Sequence, residues 1–299
     1  MEPVSLQARG RSRRRLRVSR AAEAASILAA VIAVGFLAIL VGSVLVRALH
    51  ALDWNFFTKG PAVFGVAGGG IAPAFVGSLI LVAIAVAIAV PVGVLLAIFV
   101  SEFAPLRVSR QIKLWLDVLN GFPSIVIGIF VFELLVAARL PVIGIGHHQS
   151  AWAGGFALSI IMLPLVSRAT MEVLELVPGH LREASFALGA SKWRTVIGVV
   201  LPTAFGGILT GTTLAIARAA GETAPLLFTS SIAANTVSWD ARGALSSIPV
   251  TIFTYSESPD PGDHAKAWAA SLVLIAFVLV LSVGARSLFA WRLRRMARR

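Results

Sequence analysis

Pro178-Gly-His-Leu-Arg-Glu183-Ala184-Ser185-Phe-Ala-Leu-Gly189-Ala-Ser191-Lys-Trp-Arg-Thr-Val-Ile-Gly-Val199-Val-Leu201-Pro202 lies between two apolar runs, Gly154–Met171 and Thr203–Ala220. Pro178 and Gly179 stop the helix before them. A short helix over Leu181–Leu188 is expected next. Gly189 supplies the left-handed turn that ends it, and Ser191 is placed to cap a second helix. Glu183 falls in the first turn, where the helix dipole favours an acid. By its own chemistry the stretch reads as a helical hairpin at a membrane surface, with Glu183 as a local cap.

Working outward, apolar runs long enough to cross a bilayer recur at Ala24–Val46, Phe75–Val100, Leu116–Ala137, Gly154–Met171, Thr203–Ala220 and Ala267–Phe289. Hydrophobic residues make up 58% of the chain and charged residues 13%, with a mean hydropathy of +0.88. The reading is an all-α polytopic membrane protein with six transmembrane helices. The first run is too long for a signal-peptide core and reads as a retained helix. Basic residues crowd the two ends and the second and fourth loops, twenty of them, against five in the odd-numbered loops. Both termini are therefore expected in the cytoplasm. This gives a basic arm over residues 1–20, a transmembrane domain over 21–290 with the patterned loop at 178–202, and a basic tail over 291–299.

Composition also excludes several chemistries. The net charge of +12 is concentrated in arms beside the membrane, where it is attracted to anionic headgroups, so nucleic acid is not expected as a partner. Without cysteine there is no disulfide, thiol redox centre or thiolate-bound metal. None of the four lysines (Lys59, Lys113, Lys192, Lys266) follows a glycine, so no phosphate-binding P-loop is encoded, and neither H-E-x-x-H nor G-x-S-x-G occurs. His147 and His148 sit in a Gly-rich loop and read as surface residues, and no metal or catalytic site is expected. No cofactor is expected on this chain. Any uphill transport must draw its energy from another chain or an ion gradient.

One residue stands where a charge is costly. Leu209-Thr-Gly-Thr-Thr-Leu-Ala-Ile-Ala-Arg218-Ala-Ala-Gly-Glu222-Thr223-Ala-Pro225-Leu-Leu-Phe228 is otherwise largely apolar. A guanidinium in hydrocarbon costs roughly 2.5–3.5 kcal/mol on insertion scales and marks a functional hypothesis. It cannot shed its proton to escape that cost. Arg218 and Glu222 are four apart and can pair. One reading is a structural ion pair facing the bundle interior. The other is an anion pathway, with Arg218 pairing transiently with the substrate and Glu222 balancing or releasing it. Gly221 and Pro225 break the helix, and a second half-helix starting near Thr223–Pro225 would aim free N–H groups at the cavity.

The spacing Glu183-Ala184-Ser185-x3-Gly189-x9-Val199-x-Leu201-Pro202 resembles the EAA loop of ABC-importer permeases, with Ser185 and Val199 as small departures from Ala and Ile. Further segments resemble the PstA-type permeases of phosphate-specific importers: Gly68-Gly-Gly70 through Leu79, Pro91-Val-Gly93, Ser101-Glu102-Phe103, Asn120-Gly-Phe-Pro123-Ser-Ile-Val126, Ala215 through Thr229, and Ala265-Lys-Ala-Trp-Ala269. The resemblance implies the type I ABC-importer permease (MetI-like) fold in a bacterial inner membrane. It implies a coupling role for Glu183, Ala184, Ser185, Gly189, Leu201 and Pro202, and a substrate pathway at Arg218, Glu222 and Thr223. It also implies a second homologous permease subunit, two ATP-binding cassette ATPase subunits that use the ATP, and an extracytoplasmic phosphate-binding protein. The alternatives are a permease of the same family for sulfate, molybdate or a polyamine, a gradient-driven secondary transporter, and a membrane-anchored signalling protein. Taken alone, the three glycines read as an anion nest or, more simply, a flexible loop. Glu102 reads as a solvated or paired acid at a cytoplasmic helix end.

Overall fold

The computed structural model describes residues 11–62, 68–137, 148–230 and 236–296, and these residues contain helices and connections with no strand. Helix α1 runs unbroken over Arg11–Ala48, which is about 57 Å at 1.5 Å per residue. That exceeds the ~30 Å hydrocarbon core of a bilayer, so the Arg-rich first turns extend beyond the expected span Ala24–Val46. A short helix α2 (Trp54–Thr58) follows, capped by Asp53, whose Oδ1 accepts from Phe56 N at 2.7 Å. Helix α3 (Ala72–Ile98) carries Pro91 inside it and ends in a π-helical turn over Phe99–Phe103.

The third crossing, expected over Leu116–Ala137 with a kink at Pro123, is broken there outright. Helix α4 (Leu106–Gly121) and helix α5 (Ser124–Val131), which continues as a π-turn over Phe132–Ala137, meet at a 97° bend. Pro123 disfavours helical backbone at the residue before it, and Phe122 is extended, with φ −67° and ψ 135°. Arg107, Arg110, Lys113 and Asp117 share one face of α4, which makes it amphipathic rather than spanning. What remains of the crossing, Ser124–Ala137, is about 21 Å long.

Helix α6 (Ala151–Glu175) begins at Ser150, whose Oγ accepts from Ala153 N at 3.2 Å. Arg168, which the charge pattern placed in the following loop, lies within α6. It forms an ion pair with Asp117 of α4 and donates to the Lys113 carbonyl at 3.3 Å. The patterned loop forms α7 (Gly179–Ala187) and α8 (Lys192–Thr195), and a π-turn over Val196–Val200 leads into α9 (Leu201–Ala220). After α9 come α10 (Ala224–Thr229), α11 (Ile248–Ser256) and α12 (Pro261–Met296).

The core is centred where α3 packs along α6. Leu81, Ile84, Ala85 and Ala89 meet Leu158, Met162 and Val166, and Ala215 and Ala219 of α9 join them. Small residues set these close approaches. A Cβ on Gly155 would lie 2.5 Å from Ile84 Cγ2, and one on Gly211 would lie 2.4 Å from Ala169 Cβ.

The long segment after α9, an apolar-rich stretch between the fifth and sixth apolar runs, folds back into the bundle. Leu226, Leu245 and Val250 are all in the main core cluster. Irregular backbone survives at such depth only if its polar groups are satisfied by protein. Here Ser230 Oγ donates to the Leu245 carbonyl, and Ser78 Oγ of α3 accepts from Ile248 N at 2.8 Å. Gly77 lets the segment approach, since a Cβ there would overlap the Ser246 carbonyl oxygen.

Candidate functional site

Arg218 occupies the last turn of α9, where the helix C-terminus favours a cation. The helix stops at Ala220, and the N–H groups of Gly221 and Glu222 close it onto the carbonyls of Arg218 and Ala219 at 3.1 and 3.2 Å. Glu222 therefore lies beyond the helix, not on its face, yet the pair still forms. Arg218 Nε is 3.8 Å from Glu222 Oε1, well beyond the ~2.7–2.9 Å of a tight charge-assisted bond. The Arg218 side chain is 57% exposed and that of Glu222 18%. Among the described residues no side chain or carbonyl accepts a hydrogen bond from the Arg218 guanidinium. The geometry is a loosely held cation with donors to spare, beside a more sheltered acid.

Thr223 sits at the N-cap position of α10, and its carbonyl accepts from Leu226 N and Leu227 N at 3.1 and 3.3 Å. The half-helix expected near Thr223–Pro225 is therefore present, one and a half turns long. It is held from three sides. A Cβ on Gly128 of α5 would lie 2.5 Å from Pro225 Cα, and one on Gly154 of α6 would lie 3.2 Å from Leu226 Cδ2. At its far end Gln149 Nε2 donates to the Phe228 carbonyl at 3.1 Å, and Ser150 N donates to the Thr229 carbonyl.

At the other end of α9, the residues of the patterned loop form one unit. Gly189 has φ +80°, the left-handed turn its position required. The helix before it starts at Gly179, so Glu183 stands in the second turn rather than the first, exposed and without an ion pair among the described residues. Ser191 occupies the N-cap position of α8, but its side chain makes no capping bond. Ala184, Phe186, Leu188 and Gly189 are exposed together with Glu183, an apolar surface with one acid on it. Ser185, the departure from the usual alanine, is within 2.9 Å of the buried Thr195 hydroxyl and ties α7 to α8. Leu201 and Pro202 open α9, with Leu201 packed against the cluster of Leu174, Val177, Val196 and Val200.

Sequence reasoning missed the partner of Glu102. The acid is paired, but with Arg182 of α7, eighty residues away. The only signal was Arg182's place beside the motif glutamate. In the Gly68–Gly70 run, Gly69 and Gly70 are packed tightly against the residues before them, and a Cβ on Gly70 would lie 2.3 Å from the Phe56 carbonyl oxygen. Gly68 and Gly69 have φ +98° and +83°, and Gly70 N donates to the Gly60 carbonyl instead of facing a cavity. Tyr255 seals it by donating to the Gly70 carbonyl at 3.4 Å. Burial, with help from the Asp263 carboxylate, pushes the Tyr255 phenol up to about 12, so it remains a neutral donor. His148 Nε2 lies 3.2 Å from the Arg242 carbonyl, while His147 lies outside the described residues. Among the described residues no cluster of His, Asp and Glu is placed to hold a metal.

Comparison with known proteins agrees over most of the chain. Residues 89–298 match the family described as binding-protein-dependent transport system inner membrane component. The phosphate transport system permease protein PstA of Yersinia pestis is 38% identical over 83% of this chain and 82% of its own. That of Xylella fastidiosa strain Temecula1 is 37% identical over 92% and 93%. Two solved transporters share the fold. A bacterial ABC transporter involved in import of the acidic polysaccharide alginate gives a TM-score of 0.64 at 14% identity, covering 91% of this chain and 98% of that one. The inward-facing MetNI methionine ABC transporter gives 0.54 at 19%, covering 73% and 92%. The EAA-type spacing, the small-residue helix interfaces and the family match over residues 89–298 lead to one assignment: the chain belongs to the binding-protein-dependent transport system inner membrane components, in their PstA permease branch.

Proposed function

We propose that this chain forms half of the translocation pathway of an ATP-driven phosphate importer in the bacterial inner membrane. The observation that carries the reading is the similarity to PstA permeases across four fifths or more of both lengths. The chain is a permease subunit rather than an enzyme, and a separate ATPase hydrolyses the ATP. Membership in the family also implies an ATPase partner and a substrate-binding protein. Beyond these, a second homologous permease completes the pathway, and two ATPase subunits dock at the coupling loops.

In this reading the exposed surface of α7 and the turn after it, at Glu183, Ala184 and Gly189, engages an ATPase, while Ser185 fastens α7 to α8. Leu201 and Pro202 join that unit to α9, whose far end carries Arg218. Motion of the loop is thereby delivered along one helix to the charged pair. The loose 3.8 Å contact of Arg218 with Glu222 supports exchange of one anion for another at the guanidinium. Thr223 beside it offers a hydroxyl at the head of α10. The chain itself holds no cofactor. The test is purification in mild detergent with identification of the accompanying chains, then uptake of labelled phosphate against sulfate and molybdate. A Walker A ATPase, a second six-helix permease and competition by phosphate alone are expected. Uptake without an ATPase, or equal competition by sulfate or molybdate, would refute the assignment.

A further inference from the structure

We propose that Arg182 is the positioning residue that carries movement of the coupling helix into the bundle, acting through Glu102. This rests on the coupling role proposed above for α7. One planar guanidinium here joins three elements. Its Nη2 donates to Glu102 Oε1 at 2.7 Å and its Nε to the same oxygen at 3.3 Å, reaching the π-turn that ends α3. Nη2 also donates to the Leu174 carbonyl at 3.0 Å, and Nη1 to the Val177 carbonyl at 2.7 Å, both at the end of α6. The Leu174 carbonyl also accepts from Val177 N at 3.3 Å, so the guanidinium joins the turn that closes α6.

The surroundings make the link stiff. The side chains are 22% and 9% exposed, and the neighbouring Leu174, Val177, Val196 and Val200 are buried with Leu181 packed on them. Removal from water strengthens such bonds and raises the penalty for breaking them. Among the described residues the other side-chain bond of α7 to its surroundings, Ser185 to Thr195, stays within the loop. Arg182 therefore provides the polar route from α7 to α3 and α6. It arrives at Phe99–Phe103, and π-turns are places where helices bend. A displaced coupling helix thus pulls on α3 where α3 yields. Lysine, with one ammonium, cannot reproduce a fork that reaches three acceptors on two elements.

The experiment is a double-mutant cycle in the assembled importer reconstituted in liposomes with its ATPase and binding protein. Arg182→Gln, Glu102→Gln and the double variant are scored for phosphate imported per ATP hydrolysed and for ATPase co-purification. Each single variant is expected to lower that ratio about tenfold with the ATPase still bound, and the double variant to fall no further than the worse single one. Arg182→Lys should recover only a minor part. Glu102→Gln is nearly isosteric, so it keeps the test open if Arg182→Gln fails to assemble. Unchanged coupling in Glu102→Gln, or losses that multiply in the double variant, would overturn the proposal. A Gly189→Val variant separates the two readings. If it transports normally with ATPase bound, the coupling role of α7 fails; if it fails while Glu102→Gln transports normally, only the strut fails.

Discussion

Replacing Arg218 with glutamine removes the charge at the end of α9 while keeping a planar, hydrogen-bonding side chain. Two unit charges 4 Å apart interact by about 1 kcal/mol in water and about 4 kcal/mol at an effective dielectric constant of 20. With 57% of the Arg218 side chain exposed, the lower half of that range applies. A loss of about 1–2 kcal/mol corresponds to roughly a 5–30-fold change. Arg218→Gln is therefore expected to reduce uptake at subsaturating phosphate by that factor, and Arg218→Lys by less, because the charge remains. Glu222 adds a second effect, since it is only 18% exposed and loses its counter-charge. Neutralising it as well, in Arg218→Gln/Glu222→Gln, should restore part of the uptake. The assay is initial-rate uptake of labelled phosphate in proteoliposomes, normalised to assembled complex. Wild-type uptake by Arg218→Gln would refute the anion-path role. Full recovery of uptake in Arg218→Gln/Glu222→Gln, with Arg218→Lys close to wild type, would point to a structural ion pair instead.

Three further outcomes follow from the geometry. Gly189→Val places a β-branched residue at φ +80°, a strain of about 1–3 kcal/mol, and should reduce ATPase co-purification without emptying the membrane of the chain. Gly128→Leu drives a side chain into Pro225, and such overpacking costs about 1–3 kcal/mol. Thermal melting in detergent should fall, and uptake should fall with it, because α10 carries the segment after Glu222. Ser78→Ala leaves the buried Ile248 N–H without an acceptor, at about 1–3 kcal/mol, and should lower the melting temperature while the ATPase still co-purifies. A melting curve for Ser78→Ala that overlays the wild type would refute the claim that this bond holds the folded-back segment.

Features fixed by local pattern were legible in the sequence. The apolar runs mark the membrane crossings because hydrocarbon imposes length and composition on each helix separately. Gly189 could be assigned its left-handed turn because that constraint acts on one residue, and the half-helix after Thr223 because Pro225 and Gly221 act on their neighbours. Arg218 stood out through transfer cost alone. Its partner Glu222 was also found, although the spacing argument invoked a helical face that the chain leaves at Ala220. The kink at Pro123 was expected, but Leu116–Gly121 was read as part of the third crossing, although the charges of α4 on one face held the clue that it is amphipathic.

The sequence by itself determined that the chain spans a membrane, how its basic residues are shared among the loops, and where its patterned loop and the Arg218–Glu222 pair lie. Each of these depends on the solvent preference or backbone freedom of adjacent residues. Only the tertiary structure decided that Arg182 meets Glu102, that Arg168 pairs with Asp117, and that the segment around Leu245–Thr251 returns to the core over Gly77. Those contacts join residues far apart in the chain. They exist because packed helices bring the groups within hydrogen-bonding distance, and no local periodicity records which helix faces which.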